Sequence, residues 1–361
     1  MIKKFGAVLL SAVIGLSLAA CGSQGTEKSS TESKAGTESG TSAEAETTAE
    51  SKDGSTKKAD IKVGDIQWNS VGALFKGAGI SDPAYNLDVS VFDGGNLALE
   101  ALTADQIDIA RTSEIPPLFA AQAADGGNFQ IVAVLNDRIT TVDQEVLVGP
   151  DSEITSVAEL KGKKVGYTKA TTAHYFLYEF LKDAGLTFND VEVVEINPSD
   201  GAAALLSGDI DAFASFGNGI VAAKENGAKV IADGNDKLSG YFPIVVAKSA
   251  LEDEEKRKAV VEYIADLNQA YQWIGEKPDA WAEASAEPSG KTVEKSLSDI
   301  KAGLSQTDSK VLTINDDIIA SGQKIADAFY ELGVLENKVD ASSIYTDKYS
   351  AEIEKAIAAR Q

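Results

Sequence analysis

Short runs of β-branched and apolar residues alternate with amphipathic runs along the first two thirds of the folded part of the chain. In the first stretch, such runs predict strands because they are short and are bounded by polar or glycine residues. These predicted strands are 61–64, 87–92, 107–110 and 131–135. Apolar residues at helical spacing predict helices at 71–76 and 96–102, and Pro116 with Pro117 is expected to open a third.

The same alternation begins again after Pro150. The predicted strands of this second stretch are 164–167, 191–196, 210–215 and 229–232, and its predicted helices are 173–184 and 201–206. Strands that alternate with helices are typical of mostly parallel sheets with helices on both faces. After about residue 250 the pattern changes to long helices whose apolar stripes are interpreted as core. The sequence therefore predicts an α/β fold with a helical carboxyl-terminal part.

A short internal repeat links the two stretches. Residues 102–108 (LTADQID) recur, one residue shorter, as 206–211 (LSGDID). Each copy is interpreted as a helix end, a turn and a strand start, and each strand then leads to a polar loop, 111–114 or 215–218. Ligands of open α/β sheets bind beyond the carboxyl ends of the strands. Two such ends that face each other would form a binding cleft.

The amino terminus has the pattern of a bacterial lipoprotein signal. Lys3 and Lys4 precede an uncharged apolar run that is too short to span a bilayer permanently, and the run ends in LAACG at 18–22. We therefore expect a signal peptide at 1–20 and a diacylglycerol on the thiol of Cys21. Residues 21–58 carry no large apolar side chain after the cysteine, which predicts a disordered tether to the membrane.

Composition excludes several classes of function. Cys21 is the only cysteine and His174 the only histidine among 361 residues, which argues against disulfides, cysteine-based metal sites and a histidine-rich zinc site. The formal net charge of −23 disfavours nucleic-acid binding, because phosphate contacts need clustered lysine and arginine. No cofactor and no metal are expected. About 300 residues remain for folding, enough for two lobes.

Several motifs resemble the periplasmic binding proteins of aliphatic sulfonate, taurine and nitrate uptake, a branch of the type II solute-binding fold. The similar stretches are FDGG at 92–95, SEIPP at 113–117, VAELKGKKV at 157–165, TKATTAHYFL at 168–177, KDAGL at 182–186 and GDIDA at 208–212. The resemblance implies a first lobe of 59–145 plus 240–361 and a second lobe of 146–239, inserted through two crossing strands. It also implies hinge closure on a small-molecule ligand, a monomer, and delivery to an ABC permease and its ATPase.

The sequence departs from the family at one point. The family often has Trp-Asp-Pro, or a similar aromatic and acid pair, after the second Ile-Asp strand, whereas this chain has Phe216-Gly217-Asn218. The bulky wall and the acid are both missing, so the exact ligand stays open among sulfonates, taurine-like zwitterions and nitrate-like anions.

Candidate ligand-binding residues lie where the predicted strands end and helices begin. N–H groups at a helix start have no partner within the helix and can bind an anion, so Thr171 and Thr172 are candidates, with N-capping alone as the alternative. Gly94 and Gly95 precede another helix and would let a ligand approach the backbone, or would simply form a turn. The remaining candidates follow strands or begin helices: Gln67, Asn69, Ser113, Glu114, His174, Ser215, Phe216 and Asn218.

Alternatives accompany several of these candidates. Glu114 would accept from a ligand ammonium group, or would cap a helix together with Ser113. His174 faces the cleft or packs in the first helical turn. Trp68 and Tyr241 are weaker candidates. Arg111 and Arg138 are the cations expected near the cleft, where either would pair with a ligand anion or, as the favoured alternative, form a surface or interlobe ion pair.

Three other functions compete with transport. A sensory lipoprotein would present the same ligand to a receptor. An enzyme on the same fold, similar to the thiamine-pyrimidine synthases, would need a cysteine-rich motif, and this chain has no cysteine after Cys21. An adhesion or scaffold protein would have no closing cleft.

Overall fold

The computed structural model describes residues 58–123, 126–138 and 143–361. The predicted signal peptide, Cys21 and the tether up to residue 57 lie outside the described residues. The strands are β1 (Asp60–Ile66), β2 (Asn86–Phe92), β3 (Ile109–Arg111), β4 (Phe129–Asn136), β5 (Gln144–Val148), β6 (Lys164–Tyr167), β7 (Glu192–Glu195), β8 (Ala212–Phe216), β9 (Lys229–Asp233), β10 (Tyr241–Ala247) and β11 (Lys310–Thr313).

Helices follow most of these strands. They are α1 (Ser70–Gly77), α2 (Gly95–Thr103), α3 (Ile115–Ala120), α4 (Thr172–Asp183), α5 (Pro198–Ser207), α6 (Asn218–Glu225), α7 (Lys248–Glu252), α8 (Glu254–Glu276), α9 (Pro278–Ser285), α10 (Val293–Leu304), α11 (Asp316–Glu331) and α12 (Ser350–Ala358). Short 3₁₀ helices include Gly234–Lys237, directly before β10. In these described ranges, no helix is both long and apolar enough to cross a membrane.

The strands form two sheets. One has six strands in the order β11-β4-β10-β3-β1-β2, and the other has five in the order β7-β6-β8-β5-β9. We call the six-stranded sheet with the helices packed on it the first half, and the five-stranded sheet with its helices the second half. The chain enters the second half between β4 and β5 and returns between β9 and β10.

Each sheet mixes strand directions. β1 is parallel to β2 and β3, and β6 is parallel to β7 and β8, as the strand-helix alternation predicts. However, β5 and β10, which carry the chain between the halves, run antiparallel to both neighbours in their sheets. A strand becomes parallel to its neighbour when a crossover helix returns the chain to the same end of the sheet. β5 and β10 are entered from the other half without such a helix. The sheets are therefore mixed rather than mostly parallel, within the α/β class that the sequence predicts.

Burial of apolar side chains explains the two layers around each sheet. The first half has one large core, in which the long helix α8 lies against β1 and β11. The second half has a cluster on each face of its sheet, one centred on α4 and the other on α5 and α6. The apolar stripe predicted on α8 is buried, including Tyr263, Ile264 and Leu267. In α2, the buried face consists of Ala98, Leu99, Ala101 and Leu102, whereas Leu97 is exposed.

The internal repeat has a physical role in the fold. Asp108 accepts a hydrogen bond from the backbone N–H of Lys62 at 2.9 Å, and Asp211 accepts one from that of Lys164 at 2.8 Å. Each carboxylate thus ties the turn after a helix to the start of the first parallel strand of its own half. The two polar loops that follow are consequently held at equivalent strand ends.

Candidate functional site

A cavity of about 350 Å³ lies beyond the carboxyl ends of β1 and β3, between the two halves. Small-molecule pockets typically have volumes of about 300–1,000 Å³, so the cavity suits a small ligand. The first half contributes side chains from the ends of β1, β3 and β4 and from α10, and the second half contributes the starts of β5 and α4 and the end of β8. Its position agrees with the cleft expected from the strand ends.

Five of the twelve candidate ligand-binding residues line this cavity. They are Gly95, Ser113, Thr171, Thr172 and Phe216. They come from four different elements and both halves, and they are far apart along the chain. Trp68, a weaker candidate from the sequence, also lines it, as do Arg111 and Arg138, whereas Tyr241 is not part of the lining. Trp68 at the same time stacks on Trp281 at 5.8 Å between ring centroids, so it is both cavity wall and core.

The start of α4 is open towards the cavity. Thr171 occupies the N-cap position, but its side chain makes no capping hydrogen bond. Its hydroxyl instead donates to the carbonyl of Thr168 at 2.6 Å. The first N–H groups of the helix therefore lack the side-chain acceptor that usually satisfies one of them. Plain N-capping by Thr171, the alternative weighed from the sequence, is not what the structure shows.

The start of α2 is the counterpart in the first half. Its N-cap, Gly94, has no side chain to accept from the helix, and Gly95 lines the cavity. A Cβ atom on Gly95 would lie 2.0 Å from the hydroxyl oxygen of Thr112, so only glycine allows this close approach. Thr112 also lines the cavity, is buried, and its hydroxyl has no hydrogen-bond partner in the described part of the chain.

Sequence reasoning missed Thr112 and Gln144, which line the cavity from opposite halves. Thr112 belongs to the polar loop that the sequence did identify, but Ser113 and Glu114 were selected from it. Gln144 begins β5, a strand that the apolar pattern did not predict. The signal that was available for Thr112 was its position as the first residue after β3.

Arg111 forms part of the cavity floor and is held by three partners. Its guanidinium donates to Asp65 at 3.2 Å, to the hydroxyl of Ser70 at 3.0 Å and to that of Tyr271 at 2.8 Å. The surface or interlobe ion pair expected from the sequence is not what forms, because the side chains of Arg111 and Asp65 are mostly shielded from solvent and both residues belong to the first half. Arg138 instead donates to the backbone carbonyls of Leu238 at 2.9 Å and Ser239 at the return crossing.

Several candidates make contacts other than to the cavity. The amide oxygen of Gln67 accepts from the backbone N–H of Asn218 at 3.1 Å, which joins the two halves beside the cavity. Asn69 caps α1 by accepting from the N–H of Gly72 at 2.7 Å. Gly94 lies close to the Phe216 ring, where a Cβ would be 3.6 Å away. These residues shape the rim and the contact between the halves, while the lining is supplied by their neighbours.

Ser215 points away from the lining because strand side chains alternate. Phe216 pairs with Gln144 across β8 and β5, and both side chains lie on the cavity side. The preceding residue therefore faces the opposite side of the sheet. Ser215 is fully buried there, and its hydroxyl has no partner among the described residues.

His174 packs in an aromatic cluster and does not line the cavity. Its ring lies 4.7 Å from that of Tyr167, 4.9 Å from that of Phe329 and 5.4 Å from that of Phe188, centroid to centroid. Burial, with a smaller contribution from Lys169, lowers the pKa of His174 from 6.5 to about 3. The imidazole is thus neutral near neutral pH and joins α4 of the second half to α11 of the first.

Glu114 is buried behind the cavity wall, at the return crossing. It accepts a hydrogen bond from the hydroxyl of Ser239. Burial raises its pKa from 4.5 to about 7, although the hydroxyls of Ser239 and Ser321 oppose the rise. Tyr175 and Tyr345 lie near enough for the carboxylate to raise their own pKa values. Glu114 therefore links the loop after β3 in the first half to the return crossing at Ser239, and it does not line the cavity.

His174 and Glu114 are expected to act on stability with opposite signs between pH 4.5 and 6.5. Unfolded His174 takes up a proton below about pH 6.5 and folded His174 does not, so the free energy of unfolding falls as pH is lowered. Folded Glu114 keeps its proton up to about pH 7, whereas the unfolded residue loses it near 4.5, so the same free energy falls as pH is raised. Each slope is limited to about 1.4 kcal/mol per pH unit.

Urea unfolding of single variants across this pH range separates the two slopes. Relative to wild type, His174→Phe should make stability fall more steeply with rising pH, because only the Glu114 slope remains. Glu114→Gln should change the slope in the opposite direction. A shift of both variants in one direction would contradict the assignment of these two groups.

Comparisons with known proteins identify the family and the relatives of this chain. A family model described as NMT1/THI5 like matches residues 83–281. A predicted aliphatic sulfonates-binding protein of Escherichia coli (strain K12) is 32% identical over 257 residues, which cover 69% of this chain and 76% of the relative. One of Bacillus subtilis (strain 168) is 27% identical over 362 residues, covering 98% and 97%.

A solved structure has the same fold. The alkanesulfonate-binding protein SsuA from Xanthomonas axonopodis pv. citri, bound to MOPS, matches with a TM-score of 0.69 at 24% identity, covering 80% of this chain and 99% of that one. The two-lobe α/β fold and the family resemblance expected from the sequence are confirmed. The chain belongs to the NMT1/THI5-like family.

Proposed function

We propose that this protein is the extracytoplasmic solute-binding lipoprotein of an ABC importer. It captures a small organic anion or zwitterion, sulfonate-, taurine- or nitrate-like, between its halves and delivers it to a permease with its ATPase. The sulfonate-binding relatives support this function. The observation that carries it is the pair of helix starts, α2 from one half and α4 from the other, that open on one cavity.

The chemistry of these helix starts suits an anion. N–H groups without helical partners, with the positive end of the helix dipole, bind sulfonates or carboxylates without a dedicated lysine or arginine. The hydroxyls of Thr112, Ser113 and Thr172 lie at the same cavity and can donate to the remaining anion oxygens. Because the two helices belong to different halves, an anion between them favours the closed arrangement. Binding and closure are thereby linked.

The lobes of the proposal follow the two sheets. A first lobe of 59–145 plus 240–361 and a second of 146–239 would rotate about the connections between β4 and β5 and between β9 and β10. β5 begins at Gln144, so the chain joins the second sheet two residues before the boundary placed from the sequence. β10 begins at Tyr241, one residue after the return boundary.

The membrane anchor is also part of the proposal. The signal pattern at 1–20 and Cys21 support lipidation outside the cytoplasmic membrane, with 21–58 as the tether of a monomer. A catalytic function is not proposed. The binding-protein relatives argue for capture, and the thiamine-pyrimidine synthases that the chain resembles depend on cysteines that it lacks after Cys21.

The double variant Thr171→Ala/Thr172→Ala tests the helix-start site. We expect it to weaken binding of the best ligand among taurine, ethanesulfonate and nitrate at least about tenfold, or 1.4 kcal/mol, because it removes a hydroxyl donor and the support of Thr168. Titration calorimetry measures the affinity, and thermal unfolding checks that the fold persists.

Thr103→Ala is the matched control. Its hydroxyl also donates to a carbonyl three residues earlier, that of Glu100 at 3.0 Å, but it lies on the exposed end of α2. Affinity should be unchanged in the control. An unchanged affinity in the double variant as well would refute the site, and absence of binding by all three ligands to wild type would refute the proposed ligand class.

A further inference from the structure

Gln144 is a buried polar side chain that faces the cavity. It is 7% exposed, and its amide oxygen has no hydrogen-bond partner among the described residues. It begins β5 and pairs with Phe216 across the strand, so the amide stands beside an aromatic wall. A buried polar atom without a hydrogen-bond partner destabilises the protein by about 1–3 kcal/mol. A ligand group that donates to the amide oxygen would therefore bind favourably.

The charge of the surrounding lining defines the kind of donor. Carboxylates outnumber guanidinium groups around the cavity: the lining includes Asp65, Asp137, Asp233, Asp236 and Asp299 against Arg111 and Arg138. Asp65 is paired with Arg111, and Asp299 with Lys291 and Lys295. Asp233 caps the 3₁₀ helix after β9 and Asp236 lies within it; both are exposed and place negative charge on the second-half side of the cavity.

This acidic side is next to Gln144. The 3₁₀ helix that begins at Gly234 lies against the start of β5, where a Cβ on Gly234 would be 2.9 Å from the carbonyl oxygen of Gln144. An anion without a cationic group would meet this negative potential unfavourably. A protonated amine would be attracted by it and could donate to the amide oxygen. The neutral amide of Gln144 fixes the position of the amine through a directional hydrogen bond. The carboxylates favour a ligand group with positive charge.

We propose that the ligand carries a protonated amine as well as its anionic group, and that Gln144 is the specificity-determining residue that binds this amine. The inference rests on the proposed function, since the anionic group is assigned to the starts of α2 and α4. A site built to hydrogen-bond a ligand group rejects analogues that lack the group, because its own polar atoms are then left unpaired.

Three sulfonates of nearly equal size, which share a CH2CH2-SO3− unit and differ in the terminal group, test the proposal. Taurine, isethionate and 1-propanesulfonate carry an ammonium, a hydroxyl and a methyl group at the same position. We expect wild type to bind taurine at least about tenfold more tightly than 1-propanesulfonate, with isethionate between them. Calorimetry with the purified protein gives the three affinities.

Variants of Gln144 identify the residue responsible. Gln144→Met, of similar length and apolar, should weaken taurine binding at least about tenfold and leave 1-propanesulfonate within about threefold of wild type. Gln144→Glu should increase the preference for taurine over isethionate, because a carboxylate favours the ammonium group. Gln106→Met, on the exposed turn after α2, is the control and should change none of the affinities.

The outcomes separate this inference from the proposed function. Equal wild-type affinities for the three sulfonates, or equal losses for all three in Gln144→Met, would overturn the role of Gln144 while leaving sulfonate capture intact. No binding of any of the three would overturn this inference, and absence of nitrate binding as well would overturn the proposed ligand class. Thermal unfolding of both variants checks folding, and Gln144→Glu keeps a polar group in place should the methionine variant fail to fold.

Discussion

Replacement of Arg111 by methionine is expected to lower the free energy of unfolding by about 3–5 kcal/mol, since it leaves a buried carboxylate without its cation. Asp65, 4% exposed, is the carboxylate in question. It also accepts from the hydroxyl of Ser70 at 2.7 Å and from the N–H of Val71 at 2.9 Å. The carboxylate is therefore fixed at the end of β1 and cannot turn towards solvent when its partner is removed.

Urea unfolding of Arg111→Met against Arg257→Met measures this effect. Arg257 lies 4.0 Å from Glu352 in a partly exposed pair, and such pairs contribute about 0–1 kcal/mol. Adding Asp65→Asn to Arg111→Met should restore part of the loss, because the buried charge is then gone. Equal losses in the two single variants would show that the pair under the cavity is no more important than a surface pair.

The sequence predicts those parts of the fold that depend on local patterns. Strands buried on both faces, such as β4, appear as continuous apolar runs, and the helices beside them show their stripes. The repeat around Asp108 and Asp211 was also visible, because residues 102–108 and 206–211 share a short sequence pattern. These features can be predicted because they are determined by residues that are neighbours in the sequence or by a pattern that occurs twice.

The crossing strands were harder to predict. β5 begins with Gln144 and Glu145, and β10 contains Pro243, so neither begins as an uninterrupted apolar run. Their pairing depends on strands that are 50 or more residues away, as with Gln144 and Phe216. Such long-range pairing leaves no local periodicity to detect.

The candidate site was predicted in position more than in detail. The helix starts at Gly95 and Thr172 were found because helix signals are local. Which hydroxyl faces the cavity depends on packing: Thr112 lies against Gly95, and the Thr171 hydroxyl turns back to Thr168. His174 looked equally suited to cleft and core, and the aromatic rings that surround it come from both halves of the fold.

A second large effect is expected at the ion-pair cluster that joins the halves. Lys291, between α9 and α10 in the first half, lies 2.7 Å from Asp143 at the start of the second half and 2.9 Å from Asp299 of α10. On the other side, Lys224 of α6 lies 3.1 Å from Asp143 and 2.8 Å from Glu145. The side chains of Lys291 and Asp143 are 4% and 9% exposed.

Charges this buried are stable only when they are paired. Burial alone would raise the pKa of Asp143, but Lys291 and Lys224 outweigh it and lower that pKa. We expect the pair between Lys291 and Asp143 to form only while the two halves are in contact, because it bridges the connection between α9 and α10 and the segment that leads into β5. In an open arrangement both groups would return to water, so the net energy of the pair contributes to closure and, through closure, to the affinity for every ligand.

Lys291→Met should therefore weaken binding by about 10- to 100-fold, or 1.4–2.8 kcal/mol, and by the same factor for each ligand that binds wild type. Most of the change should appear in the dissociation rate, because the pair stabilises the closed complex after capture. Lys295→Met is the matched control, because it also removes one positive charge that contacts Asp299. Lys295 is exposed, however, and its contact lies within the first half. Small-angle scattering should show a larger radius of gyration for Lys291→Met than for Lys295→Met.

If both variants lost affinity equally, or if Lys291→Met weakened the binding of some ligands more than others, the cluster would be acting on the cavity and not on the contact between the halves.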